Sequence, residues 1–342
     1  MKKGTAVLGS GPVAESHLSL LCRSNTFKPV VIFGRNIDRV SFLARKYSLK
    51  KANSLEEALS NNNVSLVDIS TSNDLHYSYA LAALKTGKSV ILEKPAAFTS
   101  NEVKTLAAEA EERNLLVSIC FQKRFNKSFG QVKSFLREKP FGIFLHGETR
   151  VFMPRKSSYF NKWRSKIELA GGGVLIYQAI HDLDLLCLLL GEVKSIRGEM
   201  SNTFHSIEVE DTVHLSIEFK SGGTHHFFAS TDPRLPSQIE TRMVFERGRL
   251  FFNDYGCRWS RHKEPSANIL SWKSNTLMNR IKVRLCGLGS YRDVLGDMEE
   301  FFLNKSNNLN SSLATAVEVH RVIEDFYNQV RKQNLPTIST IV

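Results

Sequence analysis

The sequence predicts an α/β protein of two domains, a doubly wound parallel sheet over residues 1–125 and a second α/β domain with a mostly antiparallel sheet over residues 126–342. Three observations carry this. Short apolar runs alternate with helical patterns through the first third, the rhythm of successive βαβ units. A Gly-x-Gly-x-x-Ala turn, Gly9 to Ala14, joins the first apolar run to the first helix. Beyond about residue 125, strand-like segments follow one another across short Gly-, Ser- or Asp-containing turns, which favours antiparallel pairing.

Taken in order, Thr5–Leu8 is an apolar strand and the glycine turn leads into a helix reaching Cys22. Val30–Phe33 is a second buried strand, followed by a helix from about Asp38 to Tyr47 and a short one over Leu55–Leu59. Leu66–Ser70 is the third strand. His76–Thr86 is a helix closed by Gly87, a residue that tolerates the left-handed cap. Val90–Leu92, the helix Ser100–Asn114 and the strand Leu116–Phe121 complete the first domain. In the second, a helix over Ser128–Glu138 precedes an alternating strand over Gly142–Phe152, then an apolar helix from about Val174 to Leu190. Strands follow at roughly Val193–Asn202, Thr212–Phe219, Thr224–Ala229, Glu240–Phe245 and Arg249–Asn253. Helices over Tyr291–Asn304 and Ser312–Lys332 close the chain, and the last is expected to pack back on the first domain.

Composition excludes several function classes. Of the 342 residues, 42% are hydrophobic and 23% charged, without a low-complexity tract. The apolar stretch after Met1-Lys2-Lys3 is broken by Gly9, Gly11, Pro12 and Glu15, so no export signal forms, and the apolar run at Leu185–Leu190 is too short to span a bilayer. Five scattered cysteines, an odd number without metal-ligand spacing, fit a reduced cytoplasmic protein with free thiols and no metal. The net charge of +12 is dispersed, with a modest cluster from Lys273 to Arg292, and no nucleic-acid signature accompanies it. It suits an anionic ligand, or simply a solvated basic surface.

Two constellations carry chemistry. In the first domain, Gly9 permits a tight turn, Gly11 lets backbone approach a pyrophosphate, and Ala14 lets the helix pack on the sheet. A dinucleotide then sits at the helix N-terminus over Gly9, Ser10, Gly11, Pro12, Val13 and Ala14. The second strand ends in Gly34-Arg35 where an NAD site carries an acid. A small residue and a planar cation favour NADP(H) with its 2′-phosphate, NAD(H) staying possible if Asp38 reaches the ribose or Arg35 faces solvent. In Ser89-Val90-Ile91-Leu92-Glu93-Lys94-Pro95 a buried strand delivers a carboxylate and an amine at the sheet's carboxyl edge, where open α/β sheets bind ligands. In the second domain, Gly171-Gly172-Gly173 permits close approach of backbone to a ligand and opens a helix on which Tyr177, His181 and Asp184 share one face.

These motifs, with Thr71-x-Asn73-x-x-His76 and Trp163-Arg164, make the chain resemble the glucose–fructose oxidoreductase / inositol dehydrogenase / rhizopine-catabolism (Gfo/Idh/MocA) family from about residue 4 to residue 253. The resemblance implies a Rossmann domain, a second domain with an open-faced sheet, and NAD(P)-dependent oxidation or reduction of a sugar-like hydroxyl or carbonyl. It also implies a homodimer or homotetramer formed through the sheet face, without nucleic-acid or membrane partners. It places Lys94 beside the nicotinamide and the reacting oxygen, makes His181 the proton carrier, and puts Thr71, Asn73, His76, Glu93, Gln122, Trp163 and Arg164 on the cofactor side. Arg124 would lie near the substrate, and Asp184 would support the helix face or bind a second hydroxyl. One position departs from the pattern, Tyr177 standing where the family carries Asp or Asn. A nearby ammonium would lower its pKa and make it an acid–base partner of Lys94. The alternatives are that it only lines the pocket while His181 works, or that the protein binds NADP(H) as a silent regulator. The basic balance leans towards an anionic or nucleotide-linked sugar.

Overall fold

The computed structural model describes residues 2–202, 204–262, 267–268, 288–303 and 309–333. The chain divides into two compact units, one made of Met1–Phe125 with Gly289–Val317, the other of Asn126–Leu288 with Glu318–Val342. Most of the basic cluster that begins at Lys273, up to residue 287, lies outside the described residues.

The first unit is a six-stranded parallel sheet in the order β3-β2-β1-β4-β5-β6. Its strands are β1 (Lys3–Leu8), β2 (Phe27–Phe33), β3 (Lys50–Lys51), β4 (Val64–Ile69), β5 (Ser89–Leu92) and β6 (Val117–Ile119). The helices are α1 (Pro12–Leu21), α2 (Ile37–Tyr47), α3 (Leu55–Leu59), α4 (His76–Lys85) and α5 (Ser100–Glu112). Their starts are legible chemistry. Asn36 and Ser54 accept from the third residue of α2 and α3, and Thr99 with Glu102 closes a reciprocal capping box on α5. Strand order reverses at β1 and β4, the switch point at whose carboxyl ends such sheets bind ligands.

The helix Tyr291–Phe302 packs on this sheet through Val294, Leu295 and Met298, and all but the first residue of the final helix is grouped with the second unit. Strand β3 escapes the apolar pattern because a two-residue edge of lysines buries nothing.

The second unit contains α6 (Lys127–Arg137), β7 (Phe144–Phe152), α7 (Ile167–Ala170), α8 (Ile180–Leu190) and seven further strands. These are β8 (Val193–Ser201), β9 (Thr212–Phe219), β10 (Thr224–Ser230), β11 (Gln238–Phe245), β12 (Gly248–Asn253), β13 (Gly256–Arg261) and β14 (Ala267–Asn268). The sheet runs β14-β13-β12-β11-β7-β10-β9-β8, antiparallel except where β10 joins β7. That pair is parallel because α8, β8 and β9 intervene in the chain, a crossover rather than a hairpin. In β9, Val213, Leu215, Ile217 and Phe219 are buried while His214, Ser216 and Glu218 are half-buried on the other face. Phe227 and Phe252 are buried. On the open side Phe228 stacks on His214 at 4.3 Å, and Arg258 lies over Phe251 at 4.6 Å. The apolar stretch Ile167–Leu190 is longer than the run at its end suggests, long and apolar enough to cross a membrane by composition, yet 83% of its most apolar window is buried inside the protein. A helix α9 (Tyr291–Phe302) belongs to the first unit and α10 (Val317–Gln333) to the second, apart from its first residue.

Candidate active site

The glycine turn after β1 is shaped for an anion. Gly9 sits at φ 138°, where a Cβ would also strike the Ser70 carbonyl, and its N–H donates to Phe33 O at 2.8 Å. Gly11 caps α1, no side chain caps that N-terminus, and a Cβ on Gly11 would meet open space. The orphan amides of the first turn therefore point into room that a pyrophosphate fits. Pro12 occupies the first turn, Val13 is exposed and Ala14 fully buried against the sheet. Gly34 faces Ser10 and Val40, whose atoms would lie 3.2 Å from a Cβ. Arg35 is exposed and donates to Ser72 Oγ at 2.7 Å, and among the described residues no carboxylate pairs with it.

The turn after β5 is held from two sides by histidines in opposite charge states. His17, on α1, is buried between Asp68 Oδ1 at 3.0 Å and Glu93 Oε1 at 3.5 Å and stacks on Tyr291 at 3.5 Å. Burial works against its charge, but Asp68 and Glu93 together raise its pKa to about 10, so it is an imidazolium at neutral pH. Burial likewise opposes ionisation of Glu93, and His17 overrides it, holding the carboxyl below its usual range. Glu93 Oε2 accepts the Lys94 N–H at 3.1 Å. On the other side burial lowers the pKa of His76, and its neutral ring donates from Nδ1 to Pro95 O at 2.7 Å. Thr71 Oγ1 donates to Ser72 O, and Asn73 is buried at the start of the turn into α4. Lys94 itself is half-buried.

His17, Glu93 and Cys120 bring ligand-type atoms within 4.8 Å of one another. Within this cluster His17 pairs with Glu93 and with the adjacent Asp68, and burial with the neighbouring carboxylates raises the Cys120 thiol well above its usual pKa. His17, Asp68 and Tyr291, whose hydroxyl donates to Asp68 Oδ2 at 2.5 Å, were not singled out by pattern. Only the spacing of His17 three residues beyond Ala14 on a buried helix face offered a signal.

Gln122 opens a short turn (Gln122–Phe125) and is half-buried. Arg124 is buried, and its Nη1 is committed to Asn310 O at 3.1 Å and Thr315 Oγ1 at 2.6 Å, so it ties the 309–317 segment to the first unit.

In the second unit the triple glycine has a packing reason that sequence reasoning replaced with ligand approach. A Cβ on Gly173 would collide with the Glu210 carbonyl and one on Gly172 with the Tyr327 hydroxyl, while Gly171 supplies the left-handed cap of α7 at φ 79°. Glu210 is buried and accepts from Gly173 N at 2.7 Å, Leu175 N at 3.0 Å and Tyr327 Oη at 2.8 Å, capping the following helix with a side chain far away in sequence. That helix opens with a wide turn over Leu175–Ala179 before α8, an irregularity frequent at functional sites.

Tyr177, His181 and Asp184 all lie on this segment, His181 and Asp184 buried at 8% and 1% exposure. Arg164 Nε donates to Tyr177 Oη at 2.9 Å, and its guanidinium lies over the Tyr159, Trp163 and Tyr177 rings at 5.1, 5.0 and 5.6 Å. Burial and the adjoining Tyr159 push the Tyr177 phenol up to about 12, against the pull of Arg164. The lowering expected from a neighbouring ammonium is therefore reversed, and Tyr177 is a protonated donor at ordinary pH. Gln178, beside it, is buried with neither Nε2 nor Oε1 partnered among the described residues. A buried amide left so costs about 1–3 kcal/mol, and sequence reasoning had passed over it as a helix position.

Comparison with known proteins shows the family. Residues 3–121 match the family described as "Oxidoreductase family, NAD-binding Rossmann fold", and residues 129–251 match the GFO/IDH/MocA C-terminal domain. Oxidoreductase P35 of Formosa agariphila is 28% identical over 259 residues, 73% of this chain and 78% of that protein. The trans-1,2-dihydrobenzene-1,2-diol dehydrogenase of Sus scrofa is 28% identical over 65% of each chain. Among solved structures, the WlbA dehydrogenase of Chromobacterium violaceum, in complex with NADH and UDP-GlcNAcA, superposes with a TM-score of 0.84 at 20% identity, covering 97% of this chain and 94% of its own. The chain belongs to the Gfo/Idh/MocA family of NAD(P)-binding oxidoreductases.

Proposed function

We propose that the protein is an NADP(H)-dependent oxidoreductase acting on a hydroxyl or keto carbon of a sugar-like substrate, the first unit holding the cofactor and the second the substrate. The observation that carries the cofactor choice is Arg35, an exposed guanidinium after Gly34 that leans on a neutral hydroxyl and has no carboxylate partner among the described residues. Such a cation suits a 2′-phosphate and has no role towards a bare ribose. The nicotinamide supplies the carbon that gives or takes the hydride. Lys94 Nζ donates to the reacting oxygen and stabilises the negative charge that builds there. His181 Nε2, or Tyr177 through its hydroxyl, passes the proton. Gln122, Trp163 and the 71–76 turn orient the cofactor. Cytoplasmic residence belongs to the same reading and is supported by Cys22, Cys120 and Cys257, which form no disulfide among the described residues.

Cofactor titration by fluorescence tests this. NADPH is expected to bind more tightly than NADH, and Arg35→Asp to shrink or invert the ratio by about 10–100-fold, the worth of a charge-assisted contact. Equal or reversed affinities in the unaltered chain would remove the NADP assignment. Cofactor binding with no turnover on a broad panel of sugars and keto-sugars would favour a regulator instead.

The second unit's open sheet face is proposed to form a symmetric homodimer or homotetramer. Support comes from Phe228 and Phe251, two half-buried aromatic side chains on that face, which an apolar partner surface would cover. Sedimentation at micromolar concentration is expected to give a dimer or larger, and a monomer would contradict it.

A further inference from the structure

We propose that His17 is a positioning residue for Lys94, acting through the Glu93 carboxylate, and that helix α1 thereby ties the glycine turn at its start to the lysine turn. The proposal rests on the oxidoreductase reading only for the work that Lys94 does. His17 itself is 2% exposed, closed to solvent, and acts on a ligand only through its neighbours.

The contacts form one chain across the carboxyl edge of the first sheet. Tyr291, from α9, stacks on the His17 ring at 3.5 Å and donates to Asp68 Oδ2 at 2.5 Å. His17 Nδ1 donates to Asp68 Oδ1 at 3.0 Å, and its Nε2 faces Glu93 Oε1 at 3.5 Å. Glu93 Oε2 accepts the Lys94 N–H at 3.1 Å. With one oxygen turned to the imidazole and the other to that N–H, the Glu93 carboxylate is fixed in rotation. Asp68 lies on β4 and Glu93 follows β5, its neighbour in the sheet, so His17 brings a third element to bear on both.

Charge gives the histidine its reason. Two carboxylates close together disfavour each other's ionisation, and a cation between them restores it. Burial opposes the charge on Glu93, and His17 outweighs it, holding the carboxyl below its usual range. The other groups facing Glu93 are Lys94, His76 from α4, Cys120 after β6 and Tyr291 from α9. Burial keeps His76 neutral and keeps the protons on Cys120 and Tyr291. His17 and Lys94 are thus the cations that act on this carboxylate. His17→Gln removes one of them, and burial then pushes the Glu93 carboxyl up. Glu93 loses its charge as pH falls through its pKa, so in the variant that loss comes at higher pH than in the unaltered chain. A neutral acceptor binds an N–H about half as strongly as an ionised one, so protonation loosens the Lys94 backbone.

Amide NMR of the full chain tests this through the Lys94 N–H, read from about pH 8 down to about pH 5. In the unaltered chain the resonance is expected to hold its shift over this range. In His17→Gln it is expected to titrate, and Glu93→Gln added to His17→Gln should abolish the titration. Loose packing at the His17 position produces no such pH response. A second reading needs no variant and so survives one that fails to fold. The His17 ring nitrogens should report an imidazolium across the same range, because Asp68 and Glu93 raise its pKa to about 10 against the effect of burial. A neutral ring at about pH 7, a Lys94 amide that behaves alike with and without His17, or a titration that persists without Glu93 would overturn the proposal. Loss or retention of kcat in Lys94→Ala bears on the oxidoreductase reading alone, so the two readings fail separately.

Discussion

Replacing Lys94 with alanine is expected to lower kcat by about 10²–10⁴-fold, with cofactor affinity changed by no more than a few-fold. The backbone around Lys94 is also held by groups other than its own side chain. The Glu93 carboxylate accepts the Lys94 N–H and is braced by the His17 imidazolium, and His76 holds the Pro95 carbonyl. Truncation therefore removes the amine and leaves the turn in place, so a loss of rate reports the amine itself. An ammonium acting on the reacting oxygen stabilises charge that is larger in the transition state than in the bound substrate, and its loss appears in kcat. Steady-state kinetics on a verified substrate and a cofactor titration of the same variant give the two readings. Unchanged kcat would remove Lys94 from the chemistry. A large loss of cofactor affinity at constant kcat would make it a cofactor anchor.

Tyr177→Phe and His181→Asn are expected to separate the two proton carriers, with a loss of about 10²–10⁴-fold in kcat falling on one of them and mainly a KM effect on the other. Tyr177 enters with its proton on, because burial and Tyr159 push its pKa to about 12 while Arg164 donates to its oxygen. It is thus ready to donate to a developing alkoxide in the reductive direction, and reluctant to serve as a base in the oxidative one. If Tyr177→Phe keeps nearly full kcat and His181→Asn does not, the imidazole moves the proton and the tyrosine lines the pocket. The opposite pattern assigns the proton to the phenol. If both variants keep full activity, this helix does no chemistry.

How much was legible follows from where each signal resides. Runs such as Val90–Leu92 and Leu66–Ser70 read as strands because a parallel sheet buries both faces and so demands continuous apolar sequence. The glycine turn at Gly9–Ala14 read as a dinucleotide loop because tight turn, backbone approach and helix packing each restrict residue type locally. Strand β13 (Gly256–Arg261) was missed because an outer strand of the sheet interrupted by Arg258 and Ser260 carries no apolar run. The parallel β7–β10 pair was invisible because pairing direction is a property of the crossover and not of either strand.

The sequence by itself determined the βαβ order, the local caps of α2, α3 and α5, the Glu93-Lys94-Pro95 turn at a strand's carboxyl edge, and the placing of Tyr177, His181 and Asp184 on one segment. All of these depend on interactions within a few residues. Only the tertiary structure decided the charge states. His17 and His76 are the same residue type in the same unit, yet one is an imidazolium and the other neutral, because Asp68, 51 residues away, reaches only the first. It likewise decided that Gly173 is glycine because of Glu210, and that the buried Gln178 amide has no hydrogen-bond partner among the described residues. Burial and charge act through space over a few ångströms, and no local pattern records which distant residue will arrive there.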